Sequence, residues 1–103
     1  MSVLLEFAMF PTDKGDSVSQ YVSQIIKMIR ESGCSYKLTA MGTIIETETL
    51  PDALQIVNQS YEVLEPFSNR VYSTINIDIR KGQSERLNKK TESIESKIGK
   101  VNK

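Results

Sequence analysis

Apolar and polar residues alternate from Val3 to Pro11, with Val3, Leu5, Phe7 and Met9 on one side and Leu4, Glu6, Ala8 and Phe10 on the other. A period of two marks a strand with two unlike faces. Pro11 cannot continue a ladder, and Thr12 to Asp16, with Gly15, reads as a loop. The period then lengthens. Val18, Tyr21, Val22, Ile25 and Ile29 recur at helical spacing, with Ile26 and Met28 widening the stripe. Ser17-Val18-Ser19-Gln20 has the form of a capping box at the start of this helix, and Gly33 suits its end.

Tyr36 to Met41 and Gly42 to Thr49 read as two strands joined by a very tight turn near Ala40-Met41-Gly42, with Gly42 supplying the turn conformation. Pro51 suits the first turn of a second helix, whose apolar face is Leu50, Ala53, Leu54, Val57, Tyr61 and Leu64 and which Pro66 ends. From Arg70 to Arg80, Val71, Ser73, Ile75, Ile77 and Ile79 point one way, and Tyr72, Thr74, Asn76, Asp78 and Arg80 the other. From about Ser84, Leu87, Thr91, Ile94, Ile98 and Val101 form a narrow helical stripe. Such a stripe makes no core alone, so it is expected to dock on the body or on another subunit. Gly99 to Lys103 is expected to fray.

The order β-α-β-β-α-β predicts an α+β fold, a ferredoxin-like sandwich over residues 1–83, with an added C-terminal helix over 84–103. Two helices cover one sheet face. The other, carrying Leu4, Glu6, Ala8, Phe10, Tyr72, Thr74, Asn76 and Asp78, is too apolar to be all solvent and too polar to be all core. A homo-oligomer that covers part of it is the expectation.

A chain of 103 residues suits one domain, and 39% apolar with 25% charged residues is neither disordered nor membrane-like. Met1 to Glu6 contains no basic stretch and meets a carboxylate at once, so a cytoplasmic protein is expected. The missing side chains say more. There is no His, no Trp and a single Cys, Cys34. Ser–His and Cys–His chemistry is excluded, and one Cys makes neither an internal disulfide nor a zinc site. A binding module without catalytic or metal residues is expected rather than an enzyme, with Cys34 as a small buried filler.

Charge balances overall but not locally. Residues 1–80 carry 6 basic and 10 acidic side chains, and residues 81–103 carry 7 and 3. The acidic body suits a cationic ligand better than phosphate. The basic tail reads as a solvated helix face. RNA binding would need aromatics on both central strands and a basic surface; Gly42 to Thr49 has no aromatic residue, so no nucleic-acid partner is expected.

Several stretches carry a family resemblance. They are Leu5-Glu6-Phe7-Ala8-Met9-Phe10-Pro11, Ser17 to Val22, Glu31-Ser32-Gly33, Tyr36 to Glu46 and Ser73 to Arg80, of which Met41-Gly42-Thr43 to Glu46 is the most specific. The chain resembles the small thiamine-binding proteins related to YkoF. The resemblance implies ferredoxin-like subunits with an added helix, assembled as tetramers, that bind thiamine without transforming it. Ala8, Ala40 and Ile79 depart from the family's usual hydroxyl, proline and acidic residue.

Thiamine pairs a permanent thiazolium cation with an aminopyrimidine. A cation favours carboxylates or an aromatic face, and the pyrimidine needs hydrogen-bond partners. Glu6, Glu46 and Asp78 are candidates for the charge; Thr43, Thr74 and Asn76 for the hydrogen bonds; Phe10, Met41 or Tyr72 for contact with a ring. No glycine-rich phosphate loop occurs, which favours free thiamine or its precursor pieces over the diphosphate. The competing expectation is a ferredoxin-like regulatory module for another small metabolite, which fold alone does not separate.

Overall fold

A computed structural model describes residues 1–102; Lys103, the end of the segment expected to fray, lies outside them. The elements are β1 (Ser2–Pro11), α1 (Ser19–Glu31), β2 (Ser35–Leu38), β3 (Thr43–Thr47), α2 (Leu50–Leu64), β4 (Val71–Arg80) and α3 (Arg86–Ile98). The strands form one antiparallel sheet in the order β2-β3-β1-β4. This is the expected ferredoxin-like α+β architecture, with the third helix added after β4.

The period-two pattern of β1 decides what lies inside. Val3, Leu5, Phe7 and Met9 are all buried, packed with Ile25 and Ile29 of α1, Ala53, Ile56 and Leu64 of α2, and Ile45 of β3. Pairing carries this face sideways: Leu5 lies between Ile45 and Ile77, and Phe7 between Thr43 and Ile75. The opposite face holds Leu4 between Glu46 and Asp78, Glu6 between Ile44 and Asn76, and Phe10 beside Tyr72, with ring centroids 5.9 Å apart. The two faces are therefore those read from the alternation.

Local details depart from the sequence reading at three places. The capping box does not form. Helix α1 starts at Ser19, with Val18 as the N-cap, and no side chain caps it. The Val18 carbonyl accepts the amides of Tyr21 and Val22, both at 3.0 Å, which leaves Ser17 outside the first turn. Val18 belongs to the wall of an apolar cleft, and that packing sets the start.

The connection between β2 and β3 is four residues, Thr39 to Gly42, so both strands are shorter than expected. The Thr39 hydroxyl accepts the amides of Met41 and Gly42 at 3.2 and 3.1 Å, and the Thr39 amide donates to the Gly42 carbonyl at 2.8 Å. Gly42 is not in the left-handed region. A Cβ there would lie 2.9 Å from the Phe7 carbonyl oxygen, so what demands glycine is the close passage of the turn against β1.

Helix α3 starts at Arg86 instead of Ser84, because Glu85 takes a left-handed conformation (φ 53°) and turns the chain. The α3 stripe is only partly used: Leu87 and Thr91 are half-buried, while Ile94 and Ile98 are exposed. Gly99 ends the helix, and the Val101 amide is bound by the Glu95 carboxylate at 3.1 Å.

Gly42→Ala is expected to destabilise the protein by about 1–3 kcal/mol, because the added methyl meets backbone rather than a flexible side chain. Urea unfolding checks this. Gly15→Ala is the contrast. Nothing lies near its Cβ position, so only its left-handed backbone resists the change.

Candidate functional site

The eight side chains singled out from the sequence fall on opposite sides of the sheet. Thr43 faces the helices, opposite Phe7. With Met41, and with Phe10 at the rim, it lines a cleft of about 270 Å³ between α1, β1 and the 39–42 turn. Glu6, Glu46, Thr74, Asn76 and Asp78 lie on the open face. The cleft therefore does not bring all eight together.

The cleft is built from apolar walls. Val18, Val22 and Ile26 of α1 form one side and Met9 of β1 the floor. Met41, at the tip of the turn, is 86% exposed beside the mouth. Thr43 is only 5% exposed. A neutral donor-acceptor on an apolar wall is the kind of group that orients a bound ring. Ala8 and Ala40, two of the departures from the family pattern, also line this cleft.

On the open face the carboxylates already have work. Helix α3 has no side-chain cap of its own. Glu46 supplies one from β3: its two carboxylate oxygens accept the amides of Arg86 and Leu87 at 2.8 and 3.0 Å, and it also accepts the Ser2 hydroxyl proton. The buried Arg86 guanidinium donates to the Ser2 hydroxyl (3.0 Å), the Ser2 carbonyl (2.8 Å), the Asp78 carbonyl (2.8 Å) and the Asp78 carboxylate (2.9 Å). Burial pushes the Glu46 carboxyl up, but the Ser2 hydroxyl, the two amides and the Arg86 charge outweigh it and hold the group below its ordinary value. Glu6 remains exposed, with the Asn76 amide 3.5 Å from it.

A larger space of about 680 Å³ opens between α3 and this end of the sheet, where Glu46, Glu48, Glu85 and Glu92 face Lys89. Cys34 is half-buried, and burial pushes its thiol up, against the direction that makes a nucleophile.

Sequence reasoning missed Arg86 and Ser2. Arg86 reads as one more cation of the basic tail, and nothing in the local sequence marks it as buried. The roles of Thr39 and of the Glu46 cap were likewise not read, since each depends on a partner fixed by the fold.

The fold is a ferredoxin-like sandwich with an apolar cleft beside its β2–β3 turn. The chain belongs to the thiamine-binding protein family, whose model matches residues 5–95. It is 35% identical to a UPF0045 protein of Methanothermobacter thermautotrophicus over 83 residues, 80% of this chain and 84% of that one. It is 30% identical to a UPF0045 protein of Mycobacterium bovis over 92% of this chain and 93% of that one. Among solved structures, a Methanocaldococcus jannaschii protein matches with a TM-score of 0.80 at 29% identity, over 90% of this chain and 95% of that one. A Thermotoga maritima protein linked by name to thiamine biosynthesis or salvage shares the fold, with a TM-score of 0.78 at 19% identity over 91% and 99% of the two chains. Family membership connects this chain with thiamine and with binding rather than catalysis. Among the described residues, no helix is long and apolar enough to cross a membrane.

The Glu46 cap has a pH signature. Its folded pKa lies below its unfolded one, so its stabilisation is complete above the ordinary carboxylate range and is lost as pH falls through the folded value. Glu46→Gln is expected to cost about 1–2 kcal/mol at neutral pH. It should also flatten the acid limb of a stability-against-pH curve measured by urea unfolding.

Proposed function

We propose that this protein binds thiamine, or a small molecule of the thiamine pathway, without transforming it, in the cytoplasm and as a homotetramer. One observation carries the reading: the stretch most specific to the family, Met41-Gly42-Thr43, forms a wall of the apolar cleft, where Thr43 is only 5% exposed. The cleft lies just under the roughly 300–1,000 Å³ usual for ligand pockets.

The chemistry divides along the molecule. An aminopyrimidine ring inserts between the α1 side chains and Thr43, with Thr43 holding one of its polar atoms. The thiazolium lies towards the mouth, against Met41 and Phe10, where polarizable and aromatic groups meet a cation. Glu6, Asn76 and Thr74 face the other side of the sheet, so within a tetramer they are placed to meet another subunit or its ligand. Glu46 and Asp78 contribute by holding α3.

Calorimetric titration with thiamine tests this. Thr43→Val should weaken binding about three- to tenfold, the value of one neutral hydrogen bond, while changing stability by less than about 1 kcal/mol. Glu92→Gln, at the larger space beside α3, should leave affinity unchanged. The reverse pattern would move the ligand to that space. A melting curve raised by a different metabolite but by no thiamine compound would favour the regulatory-module reading.

A further inference from the structure

Main-chain bonding along β1 alternates between its two neighbours. In an antiparallel ladder the N–H and C=O of one residue point the same way, and successive residues bond to opposite sides. The Thr12 amide donates to the Arg70 carbonyl at 2.8 Å, in register with the β1–β4 ladder. Even-numbered residues of β1 therefore turn their main-chain groups towards β4, and Val3, Leu5, Phe7 and Met9 turn theirs the other way. The β2–β3 hairpin fixes the same parity. The Thr39 amide bonds to the Gly42 carbonyl at 2.8 Å, so the next residue of β3, Thr43, bonds away from β2, as do Ile45 and Thr47, towards Phe7, Leu5 and Val3.

Met9 is where this alternation loses its partner. Continued by one more bonded pair, the β1–β3 register would set Met9 against Met41, but the ladder stops at Phe7 and Thr43. The Met41 amide donates instead to the Thr39 hydroxyl at 3.2 Å, which keeps Met41 in the turn. Among the described residues, no strand takes the place beside Met9 on that side. The space there is the apolar cleft, which Met9, Met41 and Thr43 line together. Met9 is only 8% exposed. A main-chain donor and acceptor at such a position call for a partner, and the facing side chains of α1, Val18, Val22 and Ile26, offer none.

We propose that the N–H and C=O of Met9 hold the amine-bearing edge of the ligand's ring, so that the bound heterocycle continues the ladder where β3 stops. This rests on the thiamine reading above and names the groups that select its pyrimidine from other flat rings. In an aminopyrimidine the exocyclic amine sits beside a ring nitrogen, a donor next to an acceptor. Met9 presents the complement, an acceptor and a donor on one side of one extended residue. The two bonds copy those that an added strand would make. No charged side chain lines the cleft, so the edge it takes is neutral. Thr43 is left for a further polar atom of the ring.

Nuclear magnetic resonance reads the Met9 amide directly. Saturating thiamine should slow its exchange with solvent by about tenfold or more. With isotope-labelled thiamine, a coupling across the hydrogen bond should link the Met9 amide nitrogen to a pyrimidine nitrogen. In calorimetric titration, the thiamine analogue with hydrogen in place of the exocyclic amine should bind about three- to tenfold more weakly, the value of one neutral hydrogen bond. Replacing the Met9 N–H by an ester oxygen, through the corresponding hydroxy acid, should weaken thiamine by a similar factor. It should lower the melting temperature less than the same change at Phe7, whose N–H bonds within the sheet. Thiamine that binds while the Met9 amide keeps its exchange rate and shows no coupling would overturn the inference and leave the thiamine reading standing. Thiamine that does not bind at all overturns that reading. The aminopyrimidine ring alone is then the probe, and a Met9 amide that it leaves unchanged overturns the inference too.

Discussion

Everything in this fold is referred to the backbone of β1. It pairs on both edges, with β3 and β4, and its side chains must satisfy a dry face and an open one at every second residue. Val3, Leu5, Phe7 and Met9 have little freedom, because a slip of one residue would exchange them with Leu4, Glu6, Ala8 and Phe10 and expose the core. At roughly 1.5–3 kcal/mol for each large apolar side chain buried, that slip would cost an amount comparable to the whole net stability of a small domain. The register of β3 and β4 follows, and with it the separation of the eight candidate residues onto two faces.

Helix α3 is held on a different principle. Its apolar stripe is half unused, and its first turn is fastened by polar groups from three strands: Ser2 of β1, Glu46 of β3 and Asp78 of β4. A carboxylate that caps a helix far away in sequence satisfies orphan amides that Glu85, in its left-handed conformation, does not. The arrangement turns a charge on the sheet into a fixed direction for the last helix. It leaves Ile94 and Ile98 facing outward.

The element order and both sheet faces were legible in the sequence because periodicity reports burial, and burial dominates here. The Pro51 start of α2 and the Gly33 end of α1 were legible too, since proline and glycine act locally. The start of α1 was misread at Ser17 because packing of Val18 overrode a local capping motif. Gly42 looked like a turn former, whereas its constraint is the Phe7 carbonyl across the sheet. Of the candidate site, Met41 and Thr43 were found as neighbours in sequence. The employment of Glu46 and Asp78 by Arg86 was hidden, since a contact between residue 2 and residue 86 leaves no trace in spacing.

That contact also bears on the order in which the chain can mature. Arg86 grips Ser2 across 84 positions. During synthesis the start of β1 leaves the ribosome long before its clasp exists, and β4, its longest partner, follows late. The first strand to be made is thus among the last to be fastened. Until then its four core side chains depend on whatever shelter the growing chain, or a chaperone, provides.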